Sequence, residues 1–206
     1  AVKLVIDYVR LQRRIVEIAK EKAEAELNFL KSQINPHFIF NSLNAVHFLI
    51  NKDNPEARAA LQKFSDMLRY QLYEMNGQKI PLEKETSFLK DYIDLQQLRM
   101  DENYDVQISM DLSVKGLSIE PLLLIPLVEN AFKHLSHYTD KKNFVHIDIG
   151  REDGNFRLKV ENSKEDRSHN KISNGGIGLQ NVKKRLELLY PGKYEMYVVE
   201  TADNYT

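Results

Sequence analysis

Residues 118–136 read SIEPLLLIPLVENAFKHLS, an apolar run that ends in a cluster of polar side chains. The run predicts a strongly apolar helix, and its end is unusual chemistry for a core element. Glu129 and Lys133 stand one helical turn apart, as do Asn130 and His134, so all four fall on one side. An asparagine there offers an amide oxygen to a hard cation such as Mg²⁺ without adding charge. Lys133 and His134 suit phosphate oxygens, and Glu129 suits a water or a proton acceptor. The same spacing also describes an ordinary Glu–Lys surface pair, worth only about 0.3–0.5 kcal/mol.

Two further stretches downstream carry related chemistry. VENS (160–163) closes a strand and puts Asn162 at a strand terminus, where an amide could read a planar base; a turn-favouring Asn-Ser pair is the plainer reading. NGGIGLQN (174–181) sets Gly175, Gly176 and Gly178 between a polar loop and a helix. Glycines at such a place let backbone amides approach phosphates, and a helix N-terminus favours negative charge. A plain helix start reads the same way, and neither the dinucleotide nor the GK[ST] fingerprint is present.

Around these stretches the elements alternate. A helix is expected at about 82–100, a strand at YDVQISMD (104–111), and a hairpin from FVHIDIG (144–150) and FRLKVEN (156–162) about Glu152-Asp153-Gly154-Asn155. The helix GLQNVKKRLELLY (178–190) and a last strand without a clear partner complete the order. The fold class is therefore α+β, an α/β sandwich with a largely antiparallel sheet.

Before Pro81 the pattern is all helix. Residues 4–34 lack Gly and Pro, and Leu4, Leu11, Ile15, Ile18, Ala25, Leu27, Leu30 and Ile34 recur mostly three, four or seven apart. Such a helix reaches about 45 Å, and its narrow stripe suits a coiled-coil partner. A second helix is expected over about 36–51, entered through Asn35 and Pro36 or continuous with the first through a kink. A third follows DNP (53–55), with Ala57, Ala60, Leu61, Phe64, Leu68, Leu72 and Met75 on one side and Gly77 as its end. Two such hairpins build a four-helix bundle. In INPHFIFNSLN (34–44) and the residues after it, His37 shares a narrow sector with Asn41, Asn44 and Asn51, with Phe48 among them, opposite Ile39, Leu43, Val46 and Ile50. That sector fits neither a core histidine nor a metal site.

Composition narrows the classes. The chain of 206 residues has 29 basic against 30 acidic side chains, so no global field favours nucleic acid. Cysteine is absent, which excludes disulfides, thiol nucleophiles and thiolate zinc sites. No apolar run reaches about 18 residues, the length of a membrane span.

PLVENAFKH, KVENS and GGIGLQNVKKRL, in that order, resemble the N-box, D-box position and G2-box of the GHKL ATP-binding fold. With LKSQINPHFIFNSLN, FSDMLRYQL and IPLEKETSFLKDYIDLQQLRM upstream, the chain resembles the cytoplasmic part of LytS/YesM-type sensor histidine kinases from about Leu30 onward. The resemblance implies a signalling coiled-coil helix at 1–34, a dimerisation and phosphotransfer hairpin at 35–78, and a GHKL catalytic domain at 79–206 with its C-terminal strand cut short. It implies an ATP-dependent protein histidine kinase with ATP and Mg²⁺ as cofactors. His37 matches the phosphoacceptor, and Asn41 is its expected helper. Asn130 matches the Mg²⁺ ligand, Glu129 the adjacent acid, and Lys133 and His134 fall near the phosphates. Asn162 stands at the position of the adenine-reading aspartate, and Gly176 and Gly178 flank the nucleotide. Phe38 follows His37 where many such kinases place an acid. Expected partners are a second copy of the chain, a response-regulator receiver domain and, through a segment before residue 1, the bacterial inner membrane. A nucleotide-binding signalling module without autokinase activity and a non-enzymatic dimerisation scaffold are the alternatives.

Overall fold

The computed structural model describes residues 7, 10–15, 17–18, 43–44, 46–47, 50, 53–73, 78–165, 177–201 and 203–206. The chain forms two compact units, Ala1–Asn54 and Pro55–Thr206. In the first, residues 7, 10–15, 17–18, 43–44 and 46–47 are helical, as the stripe and the NSLN stretch predict. The other residues of the two expected helices, His37 and Asn41 among them, lie outside the described residues.

The second unit is organised by a long hairpin. Strands β4 (Asn143–Glu152) and β5 (Asn155–Ser163) pair antiparallel from Glu152↔Asn155 to Val145↔Asn162. The turn residues Asp153 and Gly154 have φ of 51° and 81°, the doubly positive conformation that matches the natural twist of paired strands. In β4 alternate residues face inward, and Val145, Ile147 and Ile149 are buried almost completely. Strand β2 (Tyr104–Met110) pairs with β4 in parallel, because the connection between them crosses over through a helix. At the other side β6 (Asn204–Tyr205) pairs antiparallel with the end of β5, giving the order β2-β4-β5-β6. The last strand thus has a partner, contrary to the expectation. Residues 194–199 are not in a strand. Val199 and Thr206 exchange backbone hydrogen bonds of 2.9 and 2.8 Å and Glu200 bridges Tyr205, so the chain before β6 folds back on β6 itself.

Helix α1 (Pro55–Tyr73) opens at Pro55, whose missing N–H costs nothing in a first turn. It packs on α2 (Leu82–Gln97), where Tyr70 stacks on Phe88 with ring centroids 4.6 Å apart and Lys63 pairs with Asp94. Phe64, expected on the apolar side, is instead exposed, and Ser65 is the buried residue of α1. Leu82, Leu89 and Ile93 of α2 join Val128, Val145 and Ile147 in one core.

The run at 118–136 departs from expectation. Ser118–Ile119 is strand β3, paired antiparallel with β1 (Ile80–Pro81), and the helix α3 is only Ile125–Lys133. Two causes are visible. Pro121 and Pro126 withhold backbone donors, and Pro126 fits only the first turn of a helix. The amides of Leu122 and Leu124 donate to the Glu85 carboxylate, at 2.9 and 3.0 Å, instead of to a preceding helical turn. Helix α4 (Ile177–Leu189) packs on α3. Among the described residues no helix is long and apolar enough to cross a membrane.

Candidate functional site

The short α3 puts Glu129, Asn130 and Lys133 in its last turns, and His134 is its C-cap. The His134 N–H donates to the Asn130 carbonyl at 3.1 Å, closing the final turn. The Asn162 amide nitrogen donates to the His134 carbonyl at 3.4 Å and to the Ser163 carbonyl at 2.9 Å. The end of β5 is therefore tied to the end of α3, and residues 28 positions apart in sequence meet. Asn130 is half-buried, whereas Glu129, Lys133 and His134 are exposed. Gly178, in the first turn of α4, is exposed, and a side chain added there would meet no atom within 4 Å. Gly176 lies outside the described residues.

Asn162 is 1% exposed, so its orientation matters. Both hydrogen bonds of its side chain use the amide nitrogen, and among the described residues no donor meets its Oδ1.

Desolvation pushes the Glu129 carboxyl above its ordinary 4.5, although much of the residue is open to water. Burial likewise raises the Tyr92 phenol, and the negative charge of Glu129 adds to the shift. Tyr92 packs edge-on against Phe132, 5.8 Å between centroids, so Glu129 stands at the border of an apolar surface. A carboxylate at the edge of an apolar surface is a stronger base than a free one, which suits a proton acceptor.

A polar frame stands behind these residues, and the sequence patterns did not point to it. The Ser136 hydroxyl lies 2.7 Å from both Asn143 Oδ1 and Ser163 Oγ. Asn143 Oδ1 also accepts the Tyr138 N–H at 2.8 Å, and its Nδ2 donates to the Tyr138 carbonyl at 3.0 Å. Ser163 Oγ accepts the Phe144 N–H at 2.9 Å. Ser136, Asn143, Asn162 and Ser163 are all buried, and together they fix the loop after α3 against β4 and β5. The one signal in the sequence is Ser163, at a place where a turn accounts for a serine equally well.

A family model described as histidine kinase matches residues 25–104. Sensor protein LytS of Streptococcus mutans is 31% identical over 210 residues, spanning 97% of this chain and 35% of that protein. Sensor histidine kinase YpdA of Escherichia coli K12 is 33% identical over 185 residues, spanning 86% and 33%. Among solved structures, Acinetobacter baumannii histidine kinase AdeS aligns over 84% of this chain and 94% of its own with a TM-score of 0.40 and 10% identity. The chain spans about a third of the length of the curated relatives it matches. It belongs to the LytS-type sensor histidine kinases.

Proposed function

We propose that the chain is the kinase core of a two-component sensor, in which ATP bound by a GHKL-type domain at 79–206 phosphorylates His37. The phosphohistidine then passes its group to an aspartate on a response-regulator receiver domain. The observation that carries the nucleotide half is the arrangement of Asn162, whose amide nitrogen ties the end of β5 to the end of α3 and whose Oδ1 meets no donor among the described residues. An asparagine accepts from an adenine amino group without charge assistance, which weakens that bond relative to an aspartate.

Mg²⁺ and ATP fit the residues present. Among the described residues no group of three or more His, Asp or Glu side chains forms a metal cage. A cation here would take one oxygen from Asn130 and others from the phosphates and water, the usual pattern for Mg²⁺. Bound there, the cation would neutralise charge on the phosphates. Lys133 and His134 would meet phosphate oxygens, Glu129 would accept or orient a proton, and Gly176 and Gly178 would border the nucleotide. A homodimer is supported by Leu11, Ile15 and Ile18, each more than half exposed at spacings of four and three. In that dimer 1–34 would be the signalling helix, and 35–78 the hairpin that presents His37 with Asn41 one turn on. A membrane anchor before residue 1 would place the chain on the cytoplasmic side.

The test is incubation with Mg²⁺ and γ-labelled ATP. Acid-labile, base-stable label on the chain supports the kinase. Nucleotide binding without label would leave a GHKL signalling module, and no binding at all would leave a dimerisation scaffold.

Two substitutions probe the site from opposite directions. Gly178→Ala meets no atom within 4 Å among the described residues and gains about 0.5–1 kcal/mol of helix stability, yet it fills space beside the proposed phosphates. The expected result is an equal or higher melting temperature with weaker ATP binding by calorimetry. Unchanged affinity would remove Gly178 from the site. Glu129→Gln should behave similarly for an electrostatic reason. The raised carboxyl makes its ionised form the costly one in the fold. That cost is absent below the unfolded-state pKa and sets in as pH rises through the folded-state value. At pH 7 the variant should therefore melt higher than the parent, with no such gain in acid. Its labelling rate should fall by about 10²-fold or more, and the acidic limb of the pH–rate profile should vanish. A retained limb would assign the proton to another group.

A further inference from the structure

The loop 120–124, which launches α3, is gripped from two sides by side chains of other elements. Glu85 of α2 is completely buried, and its Oε2 accepts both the Leu122 N–H at 2.9 Å and the Tyr70 hydroxyl of α1. Its Oε1 accepts the Leu124 N–H at 3.0 Å. From α4, Arg185 donates to the Leu122 carbonyl at 2.6 Å and to the Pro121 carbonyl at 2.9 Å. The Glu120 N–H meets the Tyr190 hydroxyl at 3.2 Å. Between the two grips Leu122 has φ of 55°, a left-handed conformation unfavourable for leucine and held only by its surroundings.

A buried carboxylate is a costly way to satisfy two loop amides, when an ordinary helical start would satisfy them with a short side chain or water. What the carboxylate adds is a connection. It joins α1, part of the proposed dimerisation hairpin, to the turn that sets the height and rotation of α3. Resting on the nucleotide reading of α3 above, we infer that Glu85 is a positioning residue. Through Tyr70 and the loop 120–124, it couples the setting of α1 to the placement of Glu129, Asn130 and Lys133. Arg185 extends the same grip to α4, so the two helices proposed to enclose the nucleotide share one clamped turn. A change in α1 that withdraws the Tyr70 hydroxyl would loosen the carboxylate, release Leu122 from its left-handed conformation and shift α3. The device links a helical signal to the catalytic residues without any contact between the signal and the nucleotide.

Tyr70→Phe is the gentlest test, because the ring still stacks on Phe88 and only the hydroxyl is lost. Glu85→Gln preserves the shape and replaces two acceptor oxygens with one. Amide hydrogen exchange is followed by NMR in the 206-residue chain, together with ATP affinity and the labelling rate at saturating Mg–ATP. The expected result is exchange at Leu122 and Leu124 faster by roughly tenfold in Glu85→Gln and severalfold in Tyr70→Phe, with the Val145 and Ile147 amides of β4 unchanged. The saturating labelling rate should fall roughly fivefold or more in both, the size of a typical coupling between sites. Unchanged exchange at Leu122 and Leu124 would overturn the inference. So would a uniform loss of protection across β4, which would make Glu85 a general stabiliser. A wild type that binds no Mg–ATP would sink the nucleotide reading, and the exchange pattern alone would then decide whether the clamp exists.

Discussion

Replacing His37 with glutamine is expected to reduce acid-labile labelling from Mg–ATP to background, a loss of more than about 10²-fold, while ATP affinity stays within about twofold of the parent. The chain has six histidines, so the assignment has to separate them. His134 caps α3 and His146 lies on β4, both fixed within the proposed nucleotide-binding domain. His137 lies in the loop after α3, where its Nδ1 meets the Tyr104 hydroxyl at 2.7 Å, and His169 lies outside the described residues. His47 is half-buried on the same expected helix as His37. His37 alone heads the polar seam with Asn41 and Asn44. A neutral imidazole nitrogen is already a nucleophile near neutral pH, since an unperturbed ring titrates at about 6.5. Phosphoryl transfer then depends on positioning and charge neutralisation more than on a strong base, which suits a histidine followed by Phe38. Glutamine keeps the size and polarity but has no nucleophilic nitrogen, so the effect should be on label and not on folding. Retained label in His37→Gln, with its site mapped to another histidine, would overturn the assignment. Asn41→Ala should slow labelling without abolishing it.

The parts of the fold legible in the sequence are those whose cause is local. The turn at Asp153-Gly154 demands two positive φ values, and the β4 alternation Val145, Ile147, Ile149 demands one buried face; neighbouring residues alone dictate both. The run at 118–136 misleads because its decisive partner is remote. Glu85, some 37 residues earlier, captures the Leu122 amide and shortens the helix. From its place in LEKETSFL it reads as no more than a favourable acid in the first turn of α2. At the candidate site the residues on α3 are legible as a cluster because helical spacing alone brings them together. The approach of Asn162 to His134 is not, since it depends on β5 ending beside α3. Phe64 shows the limit in another form: periodicity puts it on the apolar side of α1, but the face buried against α2 is the one carrying Ser65 and Tyr70.

The largest expected effect on stability belongs to Asn143, the first residue of β4. Asn143→Ala should destabilise Pro55–Thr206 by about 2–4 kcal/mol, because it removes three hydrogen bonds around one buried side chain at once. The Tyr138 N–H loses its acceptor at Oδ1, the Ser136 hydroxyl is left with Ser163 Oγ alone, and the Tyr138 carbonyl is left with the Asn103 amide alone. Water is kept from the Ser136 side of the gap, since Ser136, Asn143 and Ser163 are all buried. For a unit of this size the loss corresponds to a melting temperature lower by roughly 5–12 °C. The damage should also reach the candidate site. Asn143 and Ser136 hold the loop that leaves His134, and His134 supplies the carbonyl that orients Asn162. ATP affinity should therefore fall even at temperatures where the protein is fully folded. A double-mutant cycle with Ser136→Ala should give a coupling energy of about 1 kcal/mol or more, as residues sharing one network are not additive. A cost for Asn143→Ala below about 0.5 kcal/mol, or strict additivity with Ser136→Ala, would show that the frame behind α3 is not cooperative. The orientation of Asn162 would then have to come from β5 alone.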